Sequence, residues 1–85
     1  MPRISTFYGI VIAMYYSDHG PRHFHARCAG HDATVRISDG LVSGKLPPRA
    51  LGMVLEWYIQ HRGQLAENWE LARLRKPLRS IDPLE

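Results

Sequence analysis

Eighty-five residues provide for one domain, 1–85, with a single modest core and not for two. An apolar share of 45% with 22% charged residues excludes a disordered chain, and a net charge of +3 is compatible with a polyanionic partner without requiring one. A lone cysteine, Cys28, excludes an internal disulfide framework, and the longest apolar run, residues 10–16, is too short to cross a bilayer. With no leader pattern at the N-terminus, the expectation is a cytoplasmic protein without a membrane role.

Residues 4–16 are rich in β-branched and aromatic side chains on both faces, which predicts a strand covered on both sides, with Gly9 marking a bulge or close approach that splits it. Residues 17–22 carry Asp18, Gly20 and Pro21 and read as a turn. His23–Cys28 alternates: Phe24, Ala26 and Cys28 on an apolar face, His23, His25 and Arg27 on a polar one. A turn at residues 29–32 leads to a third strand at 33–38, with Ala33, Val35 and Ile37 inward and Arg36 outward. Asp39-Gly40 signals a two-residue hairpin turn into a weaker fourth strand at 41–46.

Pro47-Pro48 ends the sheet, and Pro48 suits a helix start. Leu51, Val54, Leu55 and Tyr58 recur at helical spacing and predict an amphipathic helix over 48–61, with Trp57 and His61 one turn apart. Gly63 fits a C-terminal cap, and a second helix follows over 64–75, with Leu65, Trp69 and Ala72 on one face. Lys76-Pro77 stops it, and the tail adds an extended segment through Leu78 and Ile81. The expected fold is α+β: an antiparallel meander of three to four strands followed by two α-helices packed on the Phe24 face.

The chemistry concentrates in Asp18-His19-Gly20-Pro21-Arg22-His23-Phe24-His25. Two histidines at i, i+2 on a strand turn their nitrogens to one side, and Asp18 and His19 lie on the turn before them. Neutral imidazoles bind zinc or nickel, so Asp18, His19, His23 and His25 are candidate ligands of a divalent transition metal. The same histidines, with His19 third, are candidates for proton transfer, and Arg22, Arg27, Arg36 and Lys45 for binding RNA phosphate or a partner protein. A structural turn with an ordinary polar strand face explains these residues equally well. Arg73, Arg75, Lys76 and Arg79 complement the end of the second helix, and Cys28 reads as a small core residue.

Phe7-Tyr8-Gly9-Ile10, Met14-Tyr15, Asp18-His19-Gly20-Pro21 and His23-Phe24-His25-Ala26 occur in this order in a known family. So do Gly44-Lys45-Leu46-Pro47 with Arg49, Trp57, His61, Asn68-Trp69 and Ile81-Asp82-Pro83-Leu84. The chain thus resembles, over nearly its whole length, the small bacterial proteins of the domain-of-unknown-function family numbered 4160. Arg22 stands where that family usually has a second proline. The resemblance implies a toxin–antitoxin-like gene pair and a small cognate protein encoded alongside, and carries over no catalytic residue. The resulting expectation is a histidine- and arginine-bearing sheet face that acts on RNA or docks a partner. The alternative is a non-catalytic metal- or protein-binding module using the same histidines. An exposed edge strand ending near Tyr15 and Tyr16 would allow a homodimer.

Overall fold

The computed structural model describes residues 2–85. Five strands run in chain order across one antiparallel sheet: β1 (Arg3–Phe7), β2 (Ile10–Ala13), β3 (His23–Cys28), β4 (His31–Arg36) and β5 (Val42–Gly44). Two helices follow, α1 (Pro48–Gln60) and α2 (Arg62–Arg73). The α+β meander is as expected, with five strands in place of three to four.

The extra strand arises within residues 4–16. Phe7 pairs with Ile10, and the two residues between them, Tyr8 and Gly9, have φ of 49° and 79°. Two successive positive φ values make a tight turn of the I′ kind, so Gly9 reverses the chain instead of bulging a single strand. Ala29 and Gly30 repeat this turn between β3 and β4, where Cys28 pairs with His31. The third strand therefore begins at His31, two residues before its expected start, and ends at Arg36.

Asp39-Gly40 makes a different turn from the two-residue one its sequence suggests. Arg36 and Leu41 close a loop through Arg36 N–H to Leu41 O at 2.9 Å, and of its residues only Gly40 has a positive φ, 78°. The Asp39 carboxylate accepts the Leu41 N–H at 3.0 Å and ties to Arg36, so side-chain bonding replaces the second left-handed residue. Ile37 leaves the strand, buried, with its carbonyl accepting the Tyr58 hydroxyl at 2.6 Å. The last strand shrinks to three residues.

The core lies on the Phe24 face. Register places Ile12 opposite Ala26, and Phe24 opposite Val35, all fully buried, and the rings of Trp57 and Tyr58 from α1 pack on Phe24 at 5.7 and 6.0 Å. The buried stripe of α1 is Ala50, Val54, Trp57 and Tyr58; Leu51 and Leu55 flank it, half-buried. The stripe turns toward the two aromatics because their area dominates the burial free energy. Gly63 is not a cap. His61 breaks the helical run with φ −127°, and Gly63 lies in the first turn of α2.

The tail crosses back without forming a strand. Ile81 N–H bonds to Ile4 O at 2.8 Å, Trp57 Nε1–H bonds to Asp82 O at 2.8 Å, and Ile81 and Leu84 are buried. The Asn68 amide binds both backbone groups of Arg79, accepting its N–H and donating to its carbonyl, each at 2.9 Å. Among the described residues no helix is long and apolar enough to cross a membrane.

Candidate metal centre

β3 sets the site. Its alternation sends Phe24 and Ala26 into the core and His23 and His25 to the opposite face, where the side chains keep 20% and 28% of their surface exposed. They are not on an open surface. After β2 ends at Ala13, residues 14–22 cross this face, with Tyr15 set edge-on to the His25 ring at 4.5 Å. From α2, Trp69 meets the His23 ring at 5.3 Å. The expectation that the helices serve only the Phe24 face therefore needs correcting: α2 reaches the histidines through one indole. Tyr15 is likewise no part of an edge strand, because β2 lies between β1 and β3.

Asp18 occupies the centre. Its Oδ2 lies 2.8 Å from Nε2 of His25 and 3.2 Å from Nε2 of His23. His23 Nδ1 is 2.8 Å from the Pro21 carbonyl. A carbonyl only accepts, so Nδ1 carries the proton, and in the neutral ring Nε2 presents its lone pair toward Asp18. Ligand atoms of Asp18, His23 and His25 all lie within 4.8 Å of one another. An ion with bonds of about 2.0–2.1 Å in tetrahedral geometry keeps its ligand atoms about 3.3 Å apart. The His23 contact of 3.2 Å matches this, while the 2.8 Å hydrogen bond between His25 and Asp18 would have to lengthen.

The other sequence candidates divide. His19 is not in this group; it is exposed and lines a neighbouring cavity. Arg27 and Arg36 share the histidine face, but Arg27 Nε pairs with Asp32 at 2.9 Å and Arg36 with both oxygens of Asp39. Each guanidinium is pushed above its ordinary pKa by the hydrogen bond to its carboxylate, and Asp39 is lowered to about 2, first by Arg36 and then by the Leu41 N–H. Arg22 reaches Glu70 at 3.5 Å, and Lys45 is exposed beyond the end of β5. The face is thus charge-paired, where the sequence suggested a basic one.

Tyr15, Trp69 and the Pro21 carbonyl meet the histidines without having been singled out by sequence reasoning. In the sequence Trp69 stands only on the apolar face of the second helix, and it is indeed buried in the core; Tyr15 stands within a strand. Their approach to the histidines depends on where β2 ends and where α2 is laid, and neither leaves a spacing signal.

A family model described as a domain of unknown function (DUF4160) matches residues 9–70, well over half of the chain. The chain belongs to the DUF4160 family. The match contains β2 to β5, α1, most of α2 and all three residues of the Asp18–His23–His25 group. No curated protein and no solved structure matches the chain.

Proposed function

We propose that this DUF4160 protein binds a divalent transition metal, zinc or nickel, through Nε2 of His23, Nε2 of His25 and the Asp18 carboxylate. The observation that carries this reading is the His23 ring: Nδ1 is committed to the Pro21 carbonyl, so its remaining nitrogen faces a carboxylate oxygen at 3.2 Å. With Nδ1 already donating, either a proton or a cation at Nε2 makes this contact favourable, and the convergence of His25 on the same carboxylate oxygen is what supports the cation. A backbone carbonyl holding the far nitrogen of a ligand histidine is the usual way such a ring is oriented. Two nitrogens and a carboxylate suit zinc or nickel better than magnesium or calcium. Three protein ligands leave at least one position open for water or a bound molecule.

The test is nickel and zinc titration of untagged protein by calorimetry, with elemental analysis of the protein as purified. One ion per chain, lost in the double variant His23→Ala, His25→Ala with the fold intact by circular dichroism, is the expected result. Failure of both metals to bind overturns it.

A second reading keeps the protein in a toxin–antitoxin-like pair, acting on RNA or docking a small cognate protein. It rests on the gene context that the family resemblance implies and on the net charge of +3. His23 and His25 would move protons there, with His19 third, while Arg22, Arg27, Arg36 and Lys45 met phosphate. The pairing of Arg27 and Arg36 with aspartates weighs against an RNA surface, since each ion pair must open before a phosphate is bound. Growth arrest on expression, relieved by the double histidine variant, would favour the RNA reading over metal binding alone.

A further inference from the structure

A cavity of about 220 Å³ adjoins the proposed metal centre and shares Asp18 with it. Its walls include Tyr15, Tyr16 and Trp69, with His19 and Arg73 among its polar groups. Two of those aromatic walls also touch the ligand rings: Tyr15 on His25 and Trp69 on His23. Trp69 is 8% exposed and belongs to the core, so this wall is fixed. Tyr16, by contrast, is 37% exposed, so its ring is open to a molecule entering the cavity.

Among the described residues lining the cavity, Arg73 is the one fixed cation, and Asp18 is the carboxylate that the metal centre would neutralise. Arg73 uses Nε and one terminal nitrogen on Glu70 Oε1, at 3.2 and 2.9 Å, and a guanidinium has five donors, so donors remain for a ligand. Glu70 also meets Arg22 at 3.5 Å, so Arg73 shares its carboxylate with a second cation. A divalent ion on Asp18, His23 and His25 would add positive charge on the side where the cavity and the centre share Asp18. The volume lies below the roughly 300–1,000 Å³ of sites for drug-sized molecules, which fits a small ligand with one ring.

We propose that this cavity binds a small aromatic or heteroaromatic anion, its ring against Tyr16 and Trp69 and its acidic group drawn by the ion and Arg73. The proposal rests on the metal reading above. A carboxylate or a phosphate supplies the same chemistry at the acidic group, and the two are separated by measurement.

The experiment is calorimetry of untagged, nickel-loaded protein with four probes: benzoate, phenylphosphate, acetate and inorganic phosphate. The expected result is that one or both ring-bearing anions bind about tenfold tighter than their ring-free counterparts, the gain of one good ring contact. The better of benzoate and phenylphosphate identifies the acidic group. Tyr16→Ala should remove the ring preference, and Arg73→Gln should weaken all four anions, while both variants take up nickel as the parent does. Nickel uptake with no preference for either ring-bearing anion overturns this proposal and leaves the metal centre standing. Absence of nickel uptake overturns both.

Discussion

His23 donates through Nδ1 to the carbonyl of Pro21, 2.8 Å away and two residues earlier, and so turns Nε2 onto the carboxylate of Asp18. The turn that carries Asp18 thus also orients the ring that Asp18 faces. A metal at this point would be held by Asp18, His23 and His25, with Pro21 orienting one of the rings.

Metal affinity should respond to the three ligands and not to their neighbour. His23→Ala, His25→Ala and Asp18→Ala should each weaken nickel binding by more than about a hundredfold, beyond the 10–100-fold typical of groups behind the ligands. His19→Ala should leave it unchanged, because His19 stands outside the converging group. Competition against a chelator of known affinity measures all four.

Asn68 should be the costliest polar side chain to remove. It is 1% exposed and satisfies both backbone groups of Arg79. Asn68→Ala leaves those two groups unpaired in a part-buried place, for a loss of about 2–4 kcal/mol in urea unfolding. The tail should also become the first site of cleavage in limited proteolysis, since only the exposed Arg79–Glu67 ion pair would then tie Arg79 to α2.

Two glycines should respond in opposite senses. At Gly44, φ is +91° and an added Cβ would sit 2.6 Å from the Asp32 carbonyl oxygen, so Gly44→Ala should destabilise by more than about 2 kcal/mol. Gly52 lies inside α1 with nothing within 4 Å of an added Cβ, and Gly52→Ala should stabilise by about 0.5–1 kcal/mol. Thermal and urea midpoints of the two variants check the sign.

The Arg36–Asp39 pair should give acid sensitivity well below the ordinary carboxylate range. Asp39 is lowered from 3.8 to about 2 by Arg36 and the Leu41 N–H, so the folded state favours its charged form. The resulting stability is fully present above pH 3.8 and is lost as pH falls through about 2. Carboxyl resonances of Asp39 should titrate with a midpoint near 2, and Arg36→Gln should move that midpoint upward. Both residues are partly exposed, so salt should shrink the effect.

Element types and the division of β3 were legible from local residue patterns alone. Alternation over His23–Cys28 assigned Phe24 and Ala26 to the core and His23 and His25 to the other side, because a strand has only two faces. Proline 48 and the apolar period located α1 to within one residue, and the order of strands before helices identified the fold class. Positive-φ turns were partly legible: Gly9 marked a break, yet Tyr8 carries no sign of the left-handed conformation it adopts. Strand count and the length of β5 depended on that difference.

Which charges remain available, and what covers the histidines, follows from how the elements pack. Asp18 lies seven residues from His25 along the chain, and His19 only six, yet Asp18 alone joins the group. That choice follows from the path of residues 14–22 over the sheet. Arg27 and Arg36 become paired because turns return Asp32 and Asp39 to them, and Trp69 arrives from an element forty-six residues beyond His23. Local periodicity reports the direction of a side chain relative to its own backbone. Whether two such side chains meet depends on packing between elements, which no short window of sequence contains.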